Sequence, residues 1–280
     1  MSTVRLMSQN QWNVVDNLDY WIERGLDCSA ETRMKGHVRI FKELMPDIMG
    51  GQEVNIHMQY FFKYGCMEEN LPYTIIWGNM TPIIYRADKF ELLDTEYILY
   101  PEKMEGYEGV CCDARSKSCN VGVFRSKEDG KVFVFATTHL WWKSDKVQPG
   151  SSEVRALQVK MASDLIAKYQ TKYGGCPAIL VGDLNDHYHS KAIQYALGEG
   201  GFSHAHDIAV EYRHEGVGYN DCGINKTAPG VWRDEPFEKA IDHILVRDIP
   251  EGAVKRFDRY CPDYYLVLSD HAPVYIDLEL

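Results

Sequence analysis

Residues 178–189 read AILVGDLNDHYH: an apolar run, Ala178 to Val181, meets Gly182 and then Asp183, Asn185, Asp186, His187 and His189. A short apolar run bounded by turn-forming residues reads as a buried strand. Residues two apart on a strand share a side, so Asp183 and Asn185 can converge on one site while Leu184 turns into packing. Carboxylates at the tip of a buried strand are costly unless they are paired or bind a metal. The stretch therefore poses a chemical question as well as a structural one.

The same interruption recurs along the chain. Asn10 closes VRLMSQN (4–10), and Gln52-Glu53 closes DIMGGQE (47–53). Thr138-His139 ends the return strand of the segment 120–140, whose Asp129-Gly130 between apolar runs predicts a hairpin. Asp242 sits inside AIDHILV (240–246), and Ser269-Asp270-His271 breaks YYLVLSDHAPVYIDLEL (264–280). TPIIYRADKFELLD (81–94) reads as two short strands around RADK.

Helical patterns lie between these strands. Met34, Val38, Phe41 and Met45 form a stripe that stops at Pro46, and another helix is expected from Asn55 toward Tyr64. Val154, Leu157, Met161 and Leu165 share a face that ends before Gly174-Gly175, and a short helix is expected from Ser190. The stretch 203–239 is irregular, polar and aromatic, and reads as a long surface loop. Hairpins mixed with helices predict an α/β protein with mixed sheets. No linker or repeat interrupts the pattern, so residues 1–280 are expected to form one domain.

Composition narrows the function classes. The chain is 45% hydrophobic and 25% charged, as a globular domain should be. Its net charge of −11 argues against a broad footprint on a nucleic-acid backbone, although a bound cation could supply local positive charge. The eight cysteines form no CxxC pair, and Cys111-Cys112 are adjacent, so scattered thiols in a reducing compartment are expected instead of a zinc site. No signal-like apolar region opens MSTVRLMSQNQW, and no run is long enough to span a bilayer. A cytoplasmic protein without membrane insertion is expected. No G-x-G-x-x-G or Walker-type loop occurs.

Taken in order, SQN (8–10), PDIMGGQE (46–53), IIYRADKFEL (83–92), TTHL (137–140), VGDLN (181–185), IDHI (241–244) and LSDHAPV (268–274) resemble the endonuclease/exonuclease/phosphatase superfamily. The resemblance implies the deoxyribonuclease I-like fold, a four-layered α/β sandwich with two mixed β-sheets packed face to face and helices outside. It implies cleavage of a phosphate ester with Mg²⁺ or Mn²⁺ at the rim between the sheets. Glu53 matches the principal metal-ligand carboxylate, with Asn10 and Asp270 as further ligands. Asp183 and Asn185 match the pair that handles water and phosphate. His271 matches the catalytic histidine, Asp242 its orienting carboxylate, and His139 a phosphate-binding or leaving-group histidine. Tyr85 and Arg86 fall where relatives place phosphate contacts. One departure stands out: some nucleases of the superfamily carry an acid where this chain has Trp12.

The residue types suit that chemistry independently. Hydrolysis of an anionic ester needs charge neutralised and a water oriented in line. Oxygen ligands suit a hard cation, a carboxylate can hold or deprotonate water, and a His–Asp pair favours the imidazolium. In THLWWKSD (138–145), adjacent residues on a strand face opposite ways, so at most one of Trp141 and Trp142 lines the site. Trp141 is the candidate stacking platform, with a hydrophobic cover for the sheet as the other reading. His187, His189, His204, His206 and His214 read as solvated loop residues, and GVGYNDCG (216–223) as a loop near the rim. The expected function is metal-dependent hydrolysis of a phosphodiester or phosphomonoester of a small molecule, with no protein partner implied. A nuclease is the alternative, and a non-catalytic binding member is a further one.

Overall fold

The computed structural model describes residues 3–107, 116–212, 217–220 and 226–280. His214, Cys111, Cys112 and Cys222 lie outside the described residues, as do positions 216 and 221–223 of the expected rim loop.

Two mixed sheets form the body. The first contains β1 (Thr3–Asn10), β2 (Ile48–Gln52), β3 (Tyr73–Ile76), β4 (Ile83–Arg86), β10 (Glu211–Tyr212), β14 (Val254–Arg259) and β15 (Val274–Glu279), in the order β10-β14-β15-β1-β2-β4-β3. The second contains β5 (Phe90–Leu99), β6 (Ser118–Ser126), β7 (Val132–His139), β8 (Ala178–Asp183), β9 (Ser203–His204) and β13 (Asp242–Arg247), in the order β5-β6-β7-β8-β13-β9. A separate ribbon pairs β11 (Val217–Asn220) with β12 (Trp232–Asp234).

Helices cover the outer faces. Helices α2 (Ala30–Leu44) and α3 (Ile56–Glu68) bury Met34, Val38, Phe41, Met58 and Phe62 against Met7, Met49 and Ile84 of the first sheet. Helices α4 (Ser151–Lys172) and α5 (Lys191–Leu197) cover Val134, Ala136, Leu180 and Leu245 of the second. Two short helices, α1 (Asp19–Ile22) and α6 (Ala205–Ile208), lie in loops. The four-layered α/β sandwich is thus realised. No described helix is long and apolar enough to cross a membrane.

Burial on both strand faces explains why AILV is continuously apolar. Ile179 and Val181 face the space between the sheets, whereas Ala178 and Leu180 face α4 and α5. Local chemistry starts α3 and α5 and stops α2. Asn55 caps α3 by accepting from the Met58 N–H at 3.0 Å, and Ser190 caps α5 through the Ile193 N–H at 3.3 Å. Met45, at φ +48°, turns the chain out of α2 ahead of Pro46.

Some elements escaped the sequence patterns. The final strand begins only at Val274, and a 3₁₀ turn (Asp263–Val267) precedes it. The strand β14 breaks the period of two with a register shift between Val254 and Arg256, which disguises it in the sequence. The expected loop over 203–239 holds short strands and α6. Cys28, Cys66, Cys119, Cys176 and Cys261 are free thiols.

Candidate active site

The site grows directly out of the inner faces of the strands. Counting by twos, Val4 and Leu6 lead to Ser8 and Asn10 on β1, and Phe133 and Phe135 lead to Thr137 and His139 on β7. On β8, Ile179 and Val181 lead to Asp183; on β13, Val246 and Ile244 lead to Asp242. Each inward row is apolar at one end and polar at the other. Strand register aligns the polar tips: Ser118, His139, Asp183 and Asp242 form one cross-sheet row.

Two glycines permit the close approach. A Cβ on Gly50 would lie 2.5 Å from Val181 Cγ2 of the facing sheet. One on Gly182 would lie 2.1 Å from the Thr138 carbonyl oxygen. Just behind the tips, Gln52 donates from Nε2 to Thr137 Oγ1 across the sheets at 2.9 Å. Glu53 (φ +57°), Trp12 (φ +54°) and Asn185 (φ +50°) then occupy the left-handed region, unusual for non-glycine residues, just beyond the strand ends.

Asp183 is the hub. It accepts from Asn10 Nδ2 at 2.9 Å and from the Asn185 N–H at 2.9 Å. His139 Nε2 lies 3.5 Å and His271 Nε2 3.9 Å from its Oδ2. Burial, reinforced by the charge of Asp242 and opposed by His271, pushes the Asp183 carboxyl up to about 6.

The two histidines are tuned in opposite directions. Burial, with the charges of Lys117 and His271, holds the His139 pKa well below its ordinary value, so its ring is neutral. Burial also disfavours charge on His271, but Asp242, Asp183 and Asp270 outweigh it and raise its pKa well above the ordinary value. His271 Nδ1 bonds Asp242 Oδ2 at 2.8 Å, and its backbone N–H donates to Ser269 Oγ at 3.2 Å. The site thus carries a neutral and a charged imidazole on either side of one carboxylate.

Glu53 and Asp270 are further acids of the rim, and the charge of Glu53 reaches Asp270. Glu53 accepts from the Asn13 N–H at 3.0 Å, and its Oε1 lies 3.9 Å from His139 Nε2. Burial raises the Asp270 pKa, and the negative charge of Glu53 adds to the rise. A half-exposed carboxylate beside a buried one suits a hard divalent cation, which would relieve the repulsion felt at Asp270. Asn10 spends its amide on Asp183, and its Oδ1 accepts from the Trp12 N–H at 2.9 Å, which leaves that oxygen a second lone pair. Asn185 orients through Nδ2, which donates to the Leu140 carbonyl at 3.1 Å.

Three expected substrate contacts fall elsewhere. Tyr85 is buried against Phe124, with ring centroids 5.0 Å apart, and Arg86 pairs with Asp88. The reason is strand direction: β4 runs antiparallel to β2, pairing Ile48 with Tyr85 and Gly50 with Ile83, so Tyr85 and Arg86 sit at the end away from Gln52. Trp141 is buried with Met104 and Val154 under α4. Its neighbour Trp142 is 59% exposed instead. With Asn13, Glu53, Met80, Ser116, Lys117 and His139, it lines a cavity of about 310 Å³.

Lys117 is the residue that sequence reasoning missed. It is almost fully buried, with Nζ 2.6 Å from His139 Nε2. A lysine before a strand reads by default as a solvated end. Only its position, one residue before the Ser118 that opens the cross-sheet row, places it in the site. Among the loop histidines, His204 is instead buried, with its Nε2 3.0 Å from Nδ1 of His243 on β13.

Comparison with known proteins identifies the family and the fold. The family model described as "Endonuclease/Exonuclease/phosphatase family" matches residues 30–271. An endonuclease/exonuclease/phosphatase structure from Bacteroides vulgatus is similar at 24% identity and TM-score 0.74, covering 100% of both chains. A mannosyl-6-phosphatase of Bacteroides thetaiotaomicron is similar at 20% identity and TM-score 0.72, covering 99% of this chain and 100% of that one. The human Nocturnin catalytic domain gives 18% identity and TM-score 0.60, with 99% and 93% covered. These similarities show a shared fold. No curated protein sequence matches significantly.

Proposed function

The chain belongs to the endonuclease/exonuclease/phosphatase family, whose members hydrolyse phosphate esters, and from that premise we propose that it hydrolyses a phosphate ester of a small molecule by metal-assisted attack of water. The observation that carries the reading is the convergence of Asn10, His139, Asp183, Asp242 and His271 at one buried rim, with Glu53 and Asp270 beside them.

Glu53 and Asp270, assisted by Asn10, would hold Mg²⁺ or Mn²⁺, which when bound polarises a phosphoryl oxygen and neutralises charge. Asp183, with its raised pKa, is suited to take the proton of the attacking water. Asn185 and the Asn10 amide orient that carboxylate. The His271 imidazolium, held by Asp242, stabilises negative charge developing on the phosphoryl group. Neutral His139 faces the same space and can orient a phosphoryl oxygen or assist the leaving group.

A small substrate is favoured because the net charge of −11 opposes a long polyanion and the cavity beside His139 is about 310 Å³. Similarity to a mannosyl-6-phosphatase makes sugar phosphates the first compounds to try. Purified protein with Mg²⁺ or Mn²⁺ should release phosphate from sugar phosphates, or cleave an activated aryl phosphodiester, and should stop with chelator. Turnover only on oligonucleotides would replace this reading with a nuclease. Failure on every ester together with absence of metal binding would end the hydrolase reading.

A further inference from the structure

Strand β7 ends at His139, and the chain runs on through Leu140, Trp141, Trp142 and Lys143 toward α4. Two buried side chains of α4 clamp this segment. Gln158 Oε1 accepts from the Trp141 N–H at 2.9 Å, and Arg155 Nη1 donates to the Lys143 carbonyl at 2.7 Å. Arg155 also pairs with Asp186 Oδ2 at 2.9 Å, which ties the segment to the loop that follows Asp183. The clamp leaves Trp141 buried and Trp142 turned outward.

Singly exposed apolar side chains are ordinary on a protein surface. Trp142 differs in two respects. Its backbone is fixed on both sides, so its place is set before any ligand arrives. Its ring is held as well, with Lys143 Nζ 5.6 Å from the ring centroid, within cation–π range. The second respect is location: the indole lines the cavity of about 310 Å³ to which Glu53 and His139 of the rim also contribute. An ester whose phosphoryl group sits at the rim has this cavity beside it for its alcohol portion.

The lining has two characters. Trp142 and Met80 are apolar, whereas Asn13 and Ser116 supply an amide and a hydroxyl. Asn13 Oδ1 accepts from Asn55 Nδ2 at 2.6 Å, which leaves its own Nδ2 to donate to a ligand. A carbohydrate ring has the same two characters: a face of C–H groups that packs on an aromatic ring, and an edge of hydroxyls. An aryl ring lacks the hydroxyl edge. The volume stands at the lower end of the ~300–1,000 Å³ usual for ligand sites, which suits one ring better than the base and sugar of a nucleoside.

We propose that Trp142 is the specificity-determining residue of this site, an indole wall against which the ring of a monosaccharide phosphate packs. This role rests on the hydrolase reading and narrows the ester from small molecules in general to carbohydrate phosphates.

Steady-state assays with Mg²⁺ on hexose and pentose phosphates, glycerol 3-phosphate, p-nitrophenyl phosphate and adenosine monophosphate test it. In wild type, kcat/KM should be highest for a sugar phosphate. It should exceed the value for glycerol 3-phosphate, which has hydroxyls and phosphate without a ring, by about tenfold or more. Trp142→Ala should raise KM for that sugar phosphate ~10-fold or more with little change in kcat, as loss of one stacking aromatic does when it contributes binding alone. The preference over glycerol 3-phosphate should shrink by the same factor, and Trp142→Phe should retain most of it. A wild-type preference for glycerol 3-phosphate, the aryl ester or the nucleotide overturns the role, and that ranking stands even if Trp142→Ala fails to fold. So does a folded Trp142→Ala protein that keeps the sugar preference, or one that loses kcat while KM is unchanged. In each of those cases turnover itself leaves the hydrolase reading standing. Absence of turnover on every ester overturns the hydrolase reading, and this role with it.

Discussion

At one end of β6, β7 and β8 stand Phe124, Phe133 and Ile179; at the other end of the same strands stand Ser118, His139 and Asp183. The two ends treat charge in opposite ways. Away from the rim, acids have dedicated bases: Arg5 bonds Asp277 at 2.7 Å, and the Arg86 hydrogen bond holds the Asp88 carboxyl below its usual range. At the rim, acids crowd one another and burial pushes Asp183 and Asp270 upward. Charge left uncompensated in a buried place is what a cation or an anionic substrate with its cation would complete. The comparison therefore separates residues that hold the sandwich together from residues that act.

The largest effect should come from Asp183→Ala. Loss of the proton acceptor predicts a fall in kcat of ~10²–10⁴, with a far smaller change in melting temperature than a core truncation causes. The sign of the pH dependence follows from the same carboxylate. Because burial raises its pKa to about 6, Asp183 accepts a proton only above that value, so the wild-type rate should fall about tenfold per unit as pH drops below it. A pH–rate profile level down to pH 4 would remove Asp183 as the base.

Phe124→Ala should do the reverse. The ring is fully buried, 5.9 Å from Phe133 and 5.0 Å from Tyr85 between centroids. Truncation should cost ~3–5 kcal/mol of stability, seen in denaturant unfolding, while kcat per folded molecule stays near wild type. An equal loss of kcat would mean that the two ends are mechanically coupled, and the comparison would break.

The sequence announced the rim better than its surroundings. Asn10, His139, Asp183 and Asp242 were legible because each interrupts an apolar run at the period of two, and the structure places all of them on inner faces. Tyr85 and Arg86 misled because a motif's place in the chain does not reveal that β4 runs antiparallel to β2. The WW pair could be split by alternation, but which tryptophan is buried depends on α4, whose Gln158 accepts from the Trp141 N–H at 2.9 Å. Lys117 was invisible, since burial of a lysine is a tertiary fact. The register shift in β14 hid a strand for the same reason: its pattern is set by its partner, not by its own alternation.

Between the extremes lies Gly182→Ala, which tests how the strands bring the rim together. The new methyl would sit 2.1 Å from the backbone oxygen of Thr138, and a backbone oxygen cannot swing aside as a flexible side chain can. Strand β8 would have to shift against β7, at a cost of ~1–3 kcal/mol, and it would carry Asp183 with it. Both stability and kcat should fall, unlike either variant above. A stable protein with reduced kcat would show that the shift is absorbed at the tip alone.

The smallest effect should come from Arg86→Met. The guanidinium bonds Asp88 from Nε at 3.0 Å, in a pair that is 16% and 44% exposed, so its contribution to stability should be within ~0–1 kcal/mol. Its pH dependence has a definite sign. Asp88 has a depressed pKa, chiefly through the Arg86 hydrogen bond, so the stability it contributes is present above the ordinary aspartate pKa of ~3.9 and is lost as pH falls below it. Unfolding midpoints of wild type and Arg86→Met should therefore differ slightly at pH 7 and converge as pH falls below the ordinary aspartate range. KM and kcat should be unchanged, because Arg86 stands at the end of β4 away from the rim. A rise in KM for a phosphate ester would place Arg86 in the substrate path after all, and the division between a paired end and an acting end would have to be redrawn.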